Sequence, residues 1–145
     1  MISRLLFALP MIALVAVLPA GMPAFAEAIT LKANLKGASE VPPNQSKATG
    51  SVAISYDPAG KTLSWKGSYS GLSGPVTAAH FHGPAAIGKN AGIALAITIG
   101  NTAGTFEGSS TISDAQAADL LAGRWYVNLH TAANPAGEIR GQVLK

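Results

Sequence analysis

Apolar residues recur at every second position in several short segments, and this period of two limits the fold more than any other feature of the sequence. Between residues 29 and 35, isoleucine, leucine and alanine alternate with threonine, lysine and asparagine. Such alternation places the apolar side chains on one face of an extended strand. The same alternation recurs at residues 52–56, 63–69 and 93–99. Because several short strands joined by turn residues are typical of sandwiches and barrels, the pattern predicts an antiparallel β-sandwich.

One short helix is predicted to connect two of these strands. Ser113 can cap its first turn, and Gln116 three residues later completes a capping-box pattern. Gly123 follows the last apolar pair and can end the helix. Two strands at residues 125–130 and 138–143, joined by a turn, are then expected to form a C-terminal hairpin. The predicted fold class is therefore all-β with one connecting helix.

The first 26 residues have the features of a secretory signal peptide. Arg4 gives a short basic region, residues 5–18 are apolar, and small residues lead to an Ala-x-Ala site that ends at Ala26. A retained transmembrane helix is the alternative, but it needs ~20 apolar residues, and prolines interrupt this run. We therefore expect cleavage after Ala26, which leaves one domain at residues 27–145. That domain is expected in the periplasm or secreted, with no membrane contact.

The composition removes several classes of chemistry. The chain has no cysteine, which excludes disulfides, thiol nucleophiles and thiolate metal ligands. Its formal net charge is only +3 and its lysines are scattered, so it lacks the basic stripe that nucleic acid binding requires. The sequence contains neither a Gly-x-Ser-x-Gly elbow nor a phosphate-binding loop. No catalytic residue is assigned, and a non-enzymatic protein is favoured.

All three histidines of the chain fall in two short segments. Residues two apart in an extended segment share a face, so His80 and His82 lie side by side while Phe81 faces the core. By the same argument Leu129 faces the core and His130 lies on the outer face. If the two segments are neighbouring strands, three imidazoles converge on one outer surface, where the loop at residues 83–92 could cover them.

Imidazole nitrogens suit copper and zinc, and three protein ligands with one open position are typical of a catalytic metal site. The three histidines therefore form the predicted metal site. A metal-bound histidine also needs an acceptor for its other ring nitrogen, and the candidates are Glu40, Asn128, Thr131 and Glu138. The alternative is that the histidines only hydrogen-bond loops and hold the sheet together.

Two other segments carry charged residues that could belong to a site. Glu40 precedes Pro42 and Pro43; it could act as an acid or ligand, but a rigid end of the first strand is the favoured interpretation. Glu138 and Arg140 lie two apart on the last strand, where an ordinary surface pair is the favoured interpretation. Arg140 could alternatively attract an anion.

Taken together, these segments resemble a known family. The motifs are Glu40-Val41-Pro42-Pro43, Ala48-Thr49-Gly50, Leu72-Ser73-Gly74-Pro75, Ala78-Ala79-His80-Phe81-His82-Gly83-Pro84, Tyr126-Val127-Asn128-Leu129-His130-Thr131 and Asn134-Pro135-Ala136-Gly137-Glu138-Ile139-Arg140-Gly141-Gln142. They resemble the CHRD domain, a module named from chordin that also stands alone in exported bacterial proteins. The resemblance spans roughly residues 31–143 and implies an immunoglobulin-like β-sandwich. It implies little about function, because the family has no agreed activity.

A weaker similarity is to copper/zinc superoxide dismutase, which also uses a strand His-x-His and a histidine from another strand on the outside of a β-barrel. It extends only to His80, His82 and His130, since the fourth copper ligand and the zinc site have no counterpart. Three hypotheses follow. The first is a binding module whose partner is a copper or zinc ion or an extracytoplasmic protein, the second a redox enzyme of dismutase type, and the third a structural or adhesive surface domain.

Overall fold

Residues 27–145, the part of the chain that the computed structural model describes, contain eight strands and one α-helix. The strands are β1 (Ile29–Lys36), β2 (Thr49–Asp57), β3 (Thr62–Ser70), β4 (Val76–His82), β5 (Ile93–Ile97), β6 (Thr105–Thr111), β7 (Tyr126–Thr131) and β8 (Ile139–Gln142). They form a single sheet in the order β5-β4-β7-β8-β1-β2-β3-β6, and neighbouring strands are antiparallel. The sheet curls into a nearly closed, barrel-like shape. The prediction of an all-β antiparallel fold is confirmed.

Most strands lie where the alternation of apolar residues places them. β5 is shorter than expected and ends at Ile97. β6 was not predicted, because its segment is rich in serine, threonine and glycine and Phe106 is its only large apolar residue. β6 nevertheless pairs with β3 along seven residues, from Thr62 opposite Thr111 to Ser68 opposite Thr105. Its assignment depends on this partner strand rather than on its own pattern.

The core is formed by the inward faces of the strands. Phe81 and Leu129 are fully buried, as predicted from the alternation beside the histidines. The Phe81 ring lies edge-on to Trp65, with 5.3 Å between the ring centroids, and 5.8 Å from the Trp125 ring. Each buried side chain of this size contributes roughly 1.5–3 kcal/mol. Phe81 therefore anchors the middle of the histidine segment and leaves His80 and His82 on the opposite face.

Helix α1 (Asp114–Leu121) begins and ends as predicted. The Ser113 hydroxyl accepts from the backbone N–H of Gln116 at 3.2 Å, and the Gln116 side chain accepts from the N–H of Ser113 at 3.0 Å. Gly123 has a φ of +71° and lies directly after the C-cap residue. The Gln116 amide also donates to the carbonyl of Ala94 at 3.1 Å. The helix is thereby attached to β5, an end strand of the sheet.

The lengths and hydropathy of the helices bear on whether the domain could span a membrane. Among residues 27–145, no helix is both long enough and apolar enough to cross a bilayer. The predicted signal peptide, residues 1–26, lies outside the described residues.

Candidate metal centre

The three histidines lie on two strands that are neighbours in the sheet. β4 pairs with β7, with His80 opposite Asn128 and His130 opposite Ala78. This pairing is the condition on which the convergence of the imidazoles depended. The three side chains each present one nitrogen, and these nitrogens all lie within 4.8 Å of one another. The sequence prediction that the three imidazoles come together is thus met in the fold.

Hydrogen bonds fix the tautomer of His130. Its Nδ1 lies 2.9 Å from the carbonyl oxygen of Pro135, and because a carbonyl can only accept, Nδ1 must carry the proton. In the neutral ring, Nε2 then has a free lone pair. It accepts from the Nδ1–H of His80 at 3.2 Å. The His80 and His130 rings are therefore already joined nitrogen to nitrogen.

His82 is oriented in the same way. Its Nδ1 donates to the carbonyl of Ala91 at 2.9 Å, which leaves the lone pair on Nε2. That Nε2 is buried and has no hydrogen-bond partner. The ring stacks parallel to Tyr126, with 4.8 Å between centroids, and the Tyr126 hydroxyl accepts from the Ala91 N–H at 3.2 Å. The loop at residues 83–92 therefore covers part of the site and holds one ring, as the sequence suggested.

The Nδ1–H groups of His82 and His130 thus donate to backbone carbonyls rather than to the four side chains suggested by the sequence, although the Asn128 side chain also acts on His82. Ala91 and Pro135 supply them, and a backbone carbonyl leaves no signature in the sequence. Tyr126 was also missed as a site residue. Its alternation with Asn128 and His130 places it on the histidine face, and that signal could have identified it.

Burial lowers the pKa of both His80 and His82. For His80 the other two imidazoles lower the pKa further. For His82 burial is again the largest cause, and the hydrogen bond to Ala91 acts in the opposite direction. A lowered pKa keeps an imidazole neutral at mildly acidic pH, and only a neutral imidazole can bind a metal.

The surface pair expected for Glu138 and Arg140 is wrong. The two residues are only 1% and 2% exposed, and no ion pair among residues 27–145 includes either of them. Arg140 instead donates to the Asn90 side chain at 2.8 Å and to the Lys89 carbonyl, and it lies 3.4 Å from the centroid of the Tyr126 ring. β8 is an interior strand, and a loop about 50 residues earlier in the chain covers it, which a local sequence pattern cannot reveal.

Glu138 is the centre of a separate hydrogen-bond cluster. Its carboxylate accepts from the Ser46 hydroxyl at 2.8 Å, from the Ser73 N–H at 2.9 Å and hydroxyl at 2.5 Å, and from the Thr131 hydroxyl at 2.6 Å. Burial raises the pKa of Glu138, but the hydrogen bonds from Ser73, Thr131 and Ser46 outweigh it and lower the pKa to about 2. Glu138 and Thr131 therefore hold two loops against β7 and β8.

Glu40 and Asn128 form a third group, which lies beside the histidines. Glu40 is 6% exposed and Asn128 is 4% exposed. Burial raises the pKa of Glu40 to about 7, although Arg140, Asn128 and the Val41 N–H lower it. The favoured interpretation of Glu40 as part of a rigid strand end therefore missed a buried, titratable carboxyl group.

The fold and the site define an antiparallel all-β domain that carries a three-imidazole cluster on the outer face of two adjacent strands. The family model of the CHRD domain matches residues 31–143, and the chain belongs to the CHRD domain family. Neither the curated proteins nor the solved structures contain a match to this chain. The resemblance drawn from the sequence motifs is confirmed.

Proposed function

We propose that this protein is an exported metal-binding module that holds one copper or zinc ion at His80, His82 and His130. The observation that carries the proposal is the buried Nε2 of His82, which has a free lone pair and no partner. Two of the three rings direct their Nδ1–H to a backbone carbonyl, which is the arrangement that orients metal-binding histidines.

The distances support a single ion bound by three nitrogens. Ligands ~2.0–2.1 Å from one metal in tetrahedral geometry are about 3.4 Å apart, and the nitrogens of His80 and His130 are already 3.2 Å apart. Since all three lie within 4.8 Å of one another, small side-chain rotations would bring the third nitrogen to the same spacing. His80 would bind through Nδ1, with its ring proton moved to Nε2, and the other two would bind through Nε2.

A purely structural or adhesive role explains part of the arrangement. The hydrogen bond between His80 and His130 joins β4 to β7 and would stabilise a sheet without metal. It gives no reason, however, for bringing the lone pair of His82 Nε2 within 4.8 Å of the other two rings, since Asn128 alone could pair with it. A metal ion would satisfy that atom.

A binding module is also preferred over a redox enzyme of dismutase type. Arg140, the residue that could have attracted an anion, is 2% exposed and its guanidinium is engaged by the loop and by Tyr126. Its guanidinium is therefore not free to bind an approaching anion. The nearly closed sheet is consistent with an immunoglobulin-like or dismutase-like sandwich, which we propose as the finer fold class.

Export is part of the proposal and rests on the signal-peptide features of residues 1–26. Because the chain has no cysteine, histidine imidazole is the side chain through which it could hold copper or zinc in an oxidising compartment. When the full chain is expressed in a bacterial host, we expect the periplasmic or secreted protein to begin at Glu27. The intact mass of the recovered protein tests this, and a mass that retains residues 1–26 would contradict it.

The metal proposal is tested on the exported protein with copper and zinc offered separately. We expect about one ion per chain in the wild type and a loss of at least 10- to 100-fold in affinity in the His80→Ala/His82→Ala variant. Lys66→Ala, on the far strand β3, serves as a surface control. Equal metal content in the wild type and the double variant would contradict the site. Superoxide turnover by the copper form would favour the redox alternative.

A further inference from the structure

Unpartnered polar atoms are concentrated beside the histidines. Within residues 27–145, four buried side-chain nitrogen or oxygen atoms have no hydrogen-bond partner, and three of them are Glu40 Oε1, His82 Nε2 and Asn128 Oδ1. Buried polar atoms are normally paired. The Asn128 side chain acts on both the Glu40 carboxyl group and the His82 imidazole, so the three side chains form one connected cluster.

Asn128 connects the histidines to Glu40. On β7 it lies opposite His80 of β4 on one side and opposite Arg140 of β8 on the other. Opposed side chains on one face of a sheet are about 4.5–5.5 Å apart at Cβ. The Asn128 amide is therefore in reach of both the imidazole cluster and the residues around the guanidinium.

Glu40 reaches the same place from the other direction, over Gly137. A Cβ atom added to Gly137 would lie 2.5 Å from Glu40 Oε1 and 2.7 Å from Asn128 Nδ2, so both side chains close over the same bare backbone. The φ of Gly137 is +130°, a conformation that other residues rarely adopt. Gly137 thus leaves room for the Glu40 carboxyl group and the Asn128 amide to lie together beside the metal centre.

We propose that Glu40 balances the charge of the metal centre: below neutral pH its carboxyl group is protonated in the metal-free protein and releases that proton to solvent when a divalent cation binds to the histidines. This inference rests on the proposed function. The O–H bond of the carboxyl group breaks, the carboxylate keeps the electron pair, and no other reactant takes part. Glu40 does not bind the metal and acts on it through space, with Asn128 between them.

The charges around the site explain why such a group is needed. Three neutral imidazoles add no negative charge to a divalent ion, and the buried Arg140 already contributes a positive charge without an ion pair among the described residues. Glu138 is ionised and fully engaged by Ser46, Ser73 and Thr131. Of the two buried glutamates, only Glu40 has an oxygen free to respond.

The groups that act on Glu40 come from three segments. Arg140 faces it from β8, Asn128 from β7, and the Val41 N–H from its own segment; all three favour the carboxylate, while burial favours the protonated form. These opposing effects are nearly balanced at neutral pH. An added dication nearby would shift the balance to the carboxylate.

The experiment counts protons released per zinc ion bound, by calorimetry in buffers of different ionisation enthalpy. Wild-type protein and Glu40→Gln are titrated with zinc chloride at pH 6.0 and pH 8.5. A carboxyl group of pKa about 7 is about nine-tenths protonated at pH 6. We expect the wild type to release nearly one proton more than the variant at pH 6.0 and the same number at pH 8.5. Glu107→Gln, an exposed change on β6, should match the wild type.

Equal proton release by the wild type and Glu40→Gln at pH 6.0, with zinc bound to both, would overturn the inference and leave the metal site standing. Absence of zinc binding to the wild type would instead overturn the proposed function first. A second measurement needs no variant: infrared difference spectra of the wild type at pH 6.0 should show the C=O band of a protonated carboxyl group disappear when zinc is added. An unchanged band would also overturn the inference.

Discussion

At the residue scale, two glutamates buried within the same domain have pKa values shifted in opposite directions. Glu138 accepts hydrogen bonds from three side chains, and these lower its pKa to about 2. Glu40 has an oxygen without any partner, and burial raises its pKa to about 7. Both side chains are nearly inaccessible to solvent, but desolvation outweighs the favourable contacts at Glu40, whereas hydrogen bonds outweigh desolvation at Glu138.

Glu138 should make the fold sensitive to acid. Because its pKa is lower in the folded than in the unfolded chain, its contribution is present above about pH 4.5 and is lost as the pH falls toward 2. The shift corresponds to about 3 kcal/mol. We expect Glu138→Gln to lower the free energy of unfolding by about 2–4 kcal/mol at pH 7 and by less than about 1 kcal/mol at pH 2.5. Urea unfolding at the two pH values measures this; an equal loss at both would contradict it.

Glu40 should have the opposite pH dependence. Since its pKa is raised on folding, its contribution to stability is fully present below about pH 4.5 and is lost as the pH rises through 7. Metal-free Glu40→Gln should therefore gain about 2 kcal/mol relative to the wild type between pH 5 and pH 8.5. Urea unfolding with a chelator present tests this, with Glu107→Gln as the exposed control. Parallel pH profiles for the wild type and Glu40→Gln would show that Glu40 titrates normally.

The histidine positions could be predicted from the sequence, whereas their environment could not. Alternation around Phe81 and Leu129 determines on which face the imidazoles lie, because the period of a strand is two. The donors to Glu138 come from Ser46 and Ser73, which are 92 and 65 residues away in the chain. Only the pairing of strands brings such residues together, so the local sequence alone indicates a surface position for Glu138.

At the element scale, the contact between β8 and β1 depends on a glycine. A Cβ atom at Gly141 would lie 2.2 Å from the carbonyl oxygen of Asn34, a backbone atom of β1 that cannot turn aside. The two strands share one register pair, Lys36 with Arg140, and a nearby bridge between Lys32 and Leu144. Close approach at Gly141 thus holds β8, and Arg140 with it, against the rest of the sheet.

Gly141→Ala should therefore destabilise the domain by about 1–3 kcal/mol or more, because the two strands must separate to accommodate the methyl group. Gly74→Ala is the matched control: a Cβ atom there meets nothing within 4 Å, and the expected change is within about 0.5 kcal/mol. Thermal or urea unfolding measures both. If the two variants were equally stable, the approach of β8 to β1 would not depend on the glycine.

The elements with a clear period of two were predictable, and β6 was not. β1 carries an unbroken alternation, and its pairing with β2 runs along its full length. In β6, Gly108 and four serine or threonine residues weaken the pattern. Gly108 is needed there because the Trp65 ring lies over it, 2.6 Å from where a Cβ atom would stand. The glycine that this packing requires therefore weakens the alternation of apolar residues by which β6 could have been predicted.

At the scale of the whole molecule, the strand order determines where the candidate site can form. β4 and β7 are separated in the chain by β5, β6 and α1, yet they are neighbours in the sheet. From the sequence, the convergence of the three imidazoles follows only if these strands pair. The same alternation of apolar residues is compatible with many orders of the eight strands. The metal ion would therefore join two distant parts of the chain, and its binding should stabilise the whole fold.

Metal binding should accordingly raise the melting temperature of the domain. A ligand at 100 times its Kd stabilises the folded state by about 2.7 kcal/mol, which corresponds to roughly 10 °C for a domain of this size. We expect this rise with zinc in the wild type and none in His130→Ala, measured by calorimetry at pH 7. Since the pKa values of His80 and His82 are lowered, the rise should persist below pH 6.5 and disappear only when these imidazoles are protonated. An equal rise in His130→Ala would mean that zinc binds elsewhere on the molecule.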